Sequence, residues 1–166
     1  MNLFPKSISI TGFLGSGKTT LLSEFVKNEN VNDVAFIINE FGEVGLDHNL
    51  IESSDETVLE LQNGCICCTI QEDLKLTLLN LLTKMQKGLI KKFNKVIIET
   101  HSEHFILRIQ KLLRENKILP DLVAINYVYL DDEGKGSKID NMILNKNGEF
   151  ENKWRHGFFS ERLKEI

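Results

Sequence analysis

The sequence predicts an α/β fold with a mainly parallel sheet, and two observations carry that expectation. Short β-branched runs alternate with longer runs of helical period along 166 residues, the pattern of strands joined by crossover helices. The first strand-to-helix junction is a glycine-rich loop, Gly12-Phe13-Leu14-Gly15-Ser16-Gly17-Lys18-Thr19-Thr20, which follows a short apolar stretch and precedes an apolar-periodic run.

The elements follow in order. Ser7–Thr11 predicts the first strand, and Leu21, Leu22, Phe25 and Val26 space a first helix over Lys18–Lys27. Val34–Asn39 reads as the second strand. Thr57–Leu61 and the segment after Asn63-Gly64 suggest a short hairpin. Leu74, Leu78, Leu81, Leu82 and Met85 give Gln71–Lys87 one broad apolar face. Lys95–Glu99 and Leu122–Tyr129 are strands on either side of a helix over Glu103–Asn116. A second hairpin is expected from Ile139–Leu144 across Asn147-Gly148, followed by a tail that turns helical from Phe158. Trp154, Phe158 and Phe159 would pin that tail to the core, or, if exposed, mark a homodimer contact.

The length fits one domain over residues 1–166 with a real core. A net charge of −4 argues against nucleic acid as the main partner. No apolar run approaches the ~20 residues needed to span a bilayer, and the first strand begins too early to leave room for a signal peptide. All three cysteines lie at positions 65, 67 and 68, too close for a disulfide framework, so a cytoplasmic, reducing setting is expected.

Gly12 to Thr19 matches G-x-x-x-x-G-K-[ST] in full, the phosphate-binding loop of P-loop NTPases. Glycines let backbone N–H groups turn in around a phosphate chain, and the helix N-terminus adds its partial positive charge. Gly15, Ser16, Gly17, Lys18, Thr19 and Thr20 would form the cradle. Lys18 would reach the β- and γ-phosphates, and the Thr19 hydroxyl would hold Mg²⁺. The expected fold is therefore a three-layer P-loop NTPase-like domain with a C-terminal hairpin and short helix.

Cys65-Ile66-Cys67-Cys68 is the second chemical signal. Three adjacent thiols suit a soft or borderline ion such as Zn²⁺ or Cu⁺, with one tetrahedral position left for water, a carboxylate or a partner's ligand; the alternative is a redox-inert turn. Asp47-His48 could supply the fourth ligand. Between the second strand and this cluster, Asn39 to Asp47 holds Glu40, Glu43, Asp47 and two glycines. It reads as a switch-like acidic loop near the γ-phosphate or as an ordinary polar connection.

GFLGSGKTT, NEFGEVGLD and LQNGCICC, in this order, resemble the CobW-type GTPases, which act as metal chaperones and metal-insertion factors. The resemblance covers about residues 6 to 100 and ends on Val96-Ile97-Ile98-Glu99-Thr100, similar to that family's Walker-B strand. It implies a GTP-hydrolysing, zinc-handling protein with a metalloprotein client. Zinc would sit on Cys65, Cys67 and Cys68. Glu99 would orient the Mg²⁺ shell, and Glu40, Glu43 and Asp47 would link metal and nucleotide. Lys18 with Glu43 and Glu99 would form the catalytic set, a carboxylate orienting the attacking water.

Beyond Thr100 the chain reads His101-Ser102-Glu103-His104 where that family places a γ-phosphate glycine. The fourth strand runs into Asp131-Asp132-Glu133-Gly134 rather than a guanine-reading N-K-x-D. Ser137-Lys138-Ile139-Asp140 spells a variant of that motif, but after a Gly-Lys-Gly turn. Residues 96–166, from VIIETHSEHFIL to WRHGFFSERLKEI, resemble instead the C-terminal segment of ABC/SMC-like ATPases, where the histidine senses the γ-phosphate of ATP. His101 accordingly reads either as that sensor or as a residue beside an N-cap at Ser102 with Glu103 on the helix dipole, and the second reading is favoured. His104 and His156 read as surface residues. An ATPase acting through His101, and a nucleotide- or zinc-binding module without turnover, stand as alternatives.

Overall fold

The computed structural model describes residues 5–26, 33–38, 57–60 and 70–159 of the chain. Within these, β1 (Lys6–Thr11) leads through the glycine loop into α1 (Lys18–Val26). There follow β2 (Val34–Ile38), β3 (Thr57–Glu60), α2 (Ile70–Gln86), β4 (Lys95–Glu99) and α3 (Glu103–Arg114). A 3-10 turn at Pro120–Leu122 opens into β5 (Val123–Leu130), and β6 (Ser137–Met142) closes the set. The strands form one six-stranded sheet in the order β3-β2-β4-β1-β5-β6. Every pairing is parallel except β5 with β6. The α/β, mainly parallel expectation holds.

Three hydrophobic clusters give the layers. α1 lays Leu22 and Val26 on Ile10, Val34, Phe36, Ile97 and Val128 on one face of the sheet. On the other face Leu81 of α2, flanked by Leu78, Leu82 and Met85, packs on Ala35, Ile37, Val96 and Ile98. Beside it α3 packs Ile106, Ile109 and Leu113 on Ile125, Tyr127 and Tyr129. Alternate residues of β2 and β4 thus enter opposite layers, and for this reason VAFII and the Val96-Ile97-Ile98 centre of β4 read as continuous apolar runs rather than alternating ones. Each fully buried aliphatic side chain contributes roughly 1.5–3 kcal/mol. Truncating Leu22, which is wholly buried, would cost about 3 kcal/mol.

α3 shows how locally these elements are encoded. Ile106, Ile109, Gln110 and Leu113 form its buried stripe at helical spacing, with Glu103 in the first turn and Lys111 and Arg114 in the last. Asn116 stops it by adopting a left-handed φ of 53°. The N–H groups of Asn116 and Lys117 then return to the Leu113 and Leu112 carbonyls, the usual way a helix end satisfies its last acceptors.

One strand pairing differs from the sequence reading, and one adds a neighbour to it. β3 is a parallel neighbour of β2, with Ala35 opposite Thr57 and Ile38 opposite Glu60; the proposed return strand after Gly64 lies outside the described residues. The segment 139–144 does not pair chiefly across Asn147-Gly148. It turns back at Asp131–Gly136 and pairs with β5 over six positions, Ile125 opposite Met142 through Leu130 opposite Ser137. Only a single bridge, Leu144 to Phe150, spans the Asn147-Gly148 turn. A six-residue ladder satisfies far more backbone donors and acceptors than one bridge, so β5 wins the pairing. Leu122 belongs to the 3-10 turn rather than to the strand. The tail is described as far as Phe159, as a turn.

Candidate phosphate-binding site

Parallel pairing brings the site together at the carboxyl ends of β1 and β4. Ile10 stands opposite Glu99, and the Thr100 N–H donates to the Ile10 carbonyl at 3.0 Å. The glycine loop leaves β1 beside this pair, the crevice where α/β sheets bind ligands. Gly12 needs its glycine for two reasons. Its φ is +151°, and an added Cβ would overlap the Val128 carbonyl oxygen of β5. Gly17 is similar, with φ at +90° and an added Cβ overlapping the Ser137 hydroxyl of β6.

Lys18 is 3% exposed, and its Nζ donates to the Phe13 carbonyl at 3.0 Å, so the ammonium bends back over its own loop. Ser16 N–H donates to the same carbonyl at 3.2 Å. The Ser16 Oγ is buried and has no partner among the described residues. A buried hydroxyl without a partner is costly, and a phosphate oxygen at the loop is an acceptor of the kind it lacks. Thr19 Oγ1 lies 3.5 Å from Oε1 of Glu99, which is wholly buried. That length is a weak hydrogen bond, but it sets a hydroxyl and a carboxylate side by side across 80 positions of sequence. Hard oxygen donors of this kind fit Mg²⁺. Gly15 and Thr20 lie at the exposed rim of the loop.

Of the sequence-predicted site residues, the structure thus gathers Ser16, Lys18, Thr19 and Glu99. Glu40, Glu43, Asp47, His48, Cys65, Cys67 and Cys68 lie outside the described residues. Among the described residues, no group of three or more His, Cys, Asp or Glu side chains could hold a metal ion. His101 is half-buried just past β4, and His104 is exposed. Ser102 does occupy the N-cap of α3, but its side chain makes no capping bond; its N–H donates to the Thr100 hydroxyl at 3.0 Å instead.

The C-terminal segment supplies neighbours that motif reading missed. Ser137 donates its hydroxyl proton to the Ser16 carbonyl at 2.7 Å. Phe158 meets the Phe13 ring edge-on at 5.0 Å. His156 is exposed, as expected, but its ring lies 5.5 Å from Tyr129 and borders a cavity against the loop. Asp140, the aspartate of the Ser137-Lys138-Ile139-Asp140 string, accepts from Arg155 Nε at 2.8 Å and from the Tyr129 hydroxyl at 3.3 Å. The hydrogen bond to Asp140 is the main reason the Arg155 guanidinium is held above its ordinary pKa. Trp154, Phe158 and Phe159 pack with Phe150 and Tyr127 against α3, so the tail is pinned to the core as expected. No sequence signal points Ser137 or Val128 at the loop, because each acts on it only through folded proximity.

Residues 6–123 match the family described as CobW/HypB/UreG, nucleotide-binding domain. The chain belongs to this family. Among its curated relatives, the zinc chaperone YjiA of Escherichia coli is 44% identical over 90 residues, covering 54% of this chain and 28% of YjiA. The zinc chaperone CobW of Sinorhizobium is 37% identical over 97 residues, 55% of this chain and 26% of that protein. Zinc-regulated GTPase metalloprotein activator 1 of Dictyostelium discoideum is 39% identical over 104 residues, 55% of this chain and 21% of its own length. The chain therefore spans less than a third of these relatives. The family match runs past Thr100, where the sequence reading placed its end, through α3 to the first residue of β5. No solved structure gives a significant match. No helix among the described residues is long and apolar enough to cross a membrane.

Proposed function

We propose that this CobW/HypB/UreG chain binds and hydrolyses a nucleoside triphosphate, GTP, and couples that state to zinc held on Cys65, Cys67 and Cys68. It would act as a single P-loop domain over residues 1–166, its 101–166 part the ABC-ATPase-like segment. The observation that carries the reading is the approach of the Thr19 hydroxyl to the buried Glu99 carboxylate beside Lys18.

In the bound state Lys18 exchanges the Phe13 carbonyl for phosphate oxygens, and the loop N–H groups of Gly15 to Thr19 point at the same charge. Thr19 and Glu99 would hold Mg²⁺, which when bound would supply Lewis-acid neutralisation of phosphate charge. A carboxylate, Glu99 or Glu43 of the acidic loop, orients the attacking water. Preorganised donors of this kind act on charge that develops in the transition state, and losing one typically costs ~10²–10³ in rate.

In this reading zinc is the cargo. The names of the relatives speak of zinc chaperones and of a zinc-regulated metalloprotein activator, and three adjacent thiolates are a donor set that zinc favours. The metalloprotein client, a homodimer and a reducing, cytoplasmic setting belong to the same proposal. The test is a Zn²⁺ titration of the chain with GDP and with a non-hydrolysable GTP analogue. Coupling predicts different affinities in the two states; equal affinities would sink it. Phosphate release from GTP, measured with and without Mg²⁺, tests the hydrolase half separately.

A further inference from the structure

The ring of Phe13, in the phosphate loop, meets the ring of Phe158, in the C-terminal tail, edge-on at 5.0 Å. Phe158 is buried in the α3 cluster, where its ring also lies 5.0 Å from Tyr127 and 5.2 Å from Trp154. Phe13 is half-exposed, so this contact ties an outlying loop residue to the core. We propose that Phe158 is a positioning residue for the phosphate loop, and that docking of the tail over residues 154–159 and occupancy of the loop are one linked equilibrium. The assignment rests on the reading that the loop holds a nucleoside triphosphate.

On the loop side the lever is the Phe13 peptide. Its carbonyl accepts from Lys18 Nζ at 3.0 Å and from the Ser16 N–H at 3.2 Å, so two groups of the cradle take their place from Phe13. A phosphate chain that draws Lys18 away removes the charged donor from that carbonyl. Phe13 is then kept in place by the Ser16 bond and by Phe158, and the ring contact matters more in the occupied loop than in the empty one. A contact with that differential favours the occupied state, and it lessens the ordering that binding has to complete. By reciprocity, an occupied loop holds the tail more firmly by the same factor.

On the tail side the backbone is bent to deliver the ring. The chain reverses through His156 and Gly157, with φ of 55° and 71°, and the Phe158 N–H donates to the Arg155 carbonyl at 3.2 Å. Phe159 follows with φ of 68°. Left-handed φ is uncommon for a residue other than glycine and a true outlier for one as bulky as Phe. Such conformations persist only where surrounding contacts over-determine them. Here those contacts are the Tyr127 hydroxyl on the Arg155 carbonyl at 3.1 Å, Arg155 on Asp140 at 2.8 Å, and the packed rings. A segment held in this way has two discrete arrangements, docked and released, which is what coupling between sites requires. The single tryptophan, Trp154, touches Phe158 and so reports on the loop through one ring.

The experiment titrates the full chain, with Mg²⁺, with inorganic tripolyphosphate, which fills the loop and carries no base to touch either ring. Binding is followed by calorimetry and the tail by Trp154 emission, and GTP is titrated in parallel. In the parent chain Trp154 emission should change with the same midpoint as the heat. Phe13→Ala keeps the carbonyl that Lys18 and Ser16 use. It should bind tripolyphosphate roughly two- to tenfold more weakly, the range an edge-on ring pair supports, with Trp154 silent at saturation. Phe13→Tyr, which keeps the ring, should restore both affinity and response. Phe158→Leu should weaken the parent by a similar factor and add nothing to Phe13→Ala, because both changes cut one contact. The Phe13 variants decide the matter alone if Phe158→Leu does not fold. A silent Trp154 in the parent at saturating tripolyphosphate overturns the linkage and leaves triphosphate binding standing. So does an undiminished response in Phe13→Ala, or a Phe158→Leu change that weakens Phe13→Ala as much as the parent. Binding of GTP without binding of tripolyphosphate also overturns it, since filling the loop alone then does nothing. Absence of binding by either ligand overturns the nucleotide reading, and the positioning role with it.

Discussion

The Ser137 hydroxyl donates to the Ser16 carbonyl at 2.7 Å across 121 positions of sequence, tying the first residue of β6 to the phosphate loop. The same hydroxyl fills the space in which a Cβ on Gly17 would sit. The loop is thus shaped from outside its own motif, by a strand that begins beyond the family match.

Substitutions at these two positions should be coupled. Ser137→Ala removes one hydrogen bond and is expected to cost about 1 kcal/mol of stability. Gly17→Ala suffers both the positive φ and the overlap with Ser137, and should cost more. In the double variant the overlap is relieved, because the Ser137 Cβ lies 3.4 Å from the added methyl, while the φ strain remains. A denaturation cycle should show the pair less destabilised than the sum of the single changes by about 1 kcal/mol. Strict additivity would remove Ser137 as the obstacle at Gly17.

Gly12→Ala should behave differently. The added Cβ meets the Val128 carbonyl oxygen, a backbone atom of a central strand that no side-chain truncation can move. Relief would require separating the β1–β5 pairing at its loop end, where Thr11 stands opposite Tyr127. The expected loss is 2 kcal/mol or more, on the order of other strained backbone substitutions, with nucleotide affinity falling alongside. An unfolding midpoint equal to the parent's would show that the loop has room to shift.

How much of this was legible in the sequence depends on how local the cause is. The strict spacing from Gly12 to Thr19 placed the loop between β1 and α1, and the apolar spacing of Ile106, Ile109 and Leu113 placed α3. Glu99 came from a motif at a strand end, and the parallel register then set it beside Thr19. What escaped were relationships between strands distant in sequence. Asn147-Gly148 is a strong local turn signal, yet 139–142 joined β5 because a long apolar strand with an open edge offered a fuller ladder. Local signals around Thr57–Glu60 did not announce its parallel neighbour β2, because a parallel partner is reached only through a distant crossover. Tyr129, Asp132 and His156 carry no shared motif, and only folding places them around one cavity.

Lys18 and Glu99 should separate binding from turnover. Lys18→Ala removes a cation that donates to the Phe13 carbonyl of its own loop. Stability should change by about 1 kcal/mol or less, while Mg²⁺-dependent binding of a fluorescent GTP analogue should weaken at least tenfold, the scale of a lost charged hydrogen bond. Glu99→Gln keeps the shape of a wholly buried side chain. It should retain nucleotide within a few-fold and lose roughly 10²-fold in phosphate release, the scale of losing one electrostatic partner at a reacting phosphate. Full turnover in Glu99→Gln would take Glu99 out of the catalytic set.

The chain holds one tryptophan, and its position makes the tail measurable. Trp154 meets the Tyr127 ring edge-on at 5.2 Å, and the Tyr127 hydroxyl donates to the Arg155 carbonyl at 3.1 Å. Burial, reinforced by Tyr129 and Asp140, holds the Tyr127 phenol above its usual pKa. The neutral form is therefore the one favoured by folding. Its contribution is fully present below the unfolded value of about 10 and is lost as pH rises through the higher folded value. Trp154 emission should be flat through neutral pH and then shift to longer wavelength in that alkaline window as the ionised phenolate loses its bond to Arg155 and the tail loosens. Tyr127→Phe removes the hydroxyl and the titration together while keeping the ring against Trp154. It should hold a near-native spectrum at pH 7 and lose the alkaline transition, whereas a transition unchanged in size and midpoint would assign the tail's release to a group other than Tyr127.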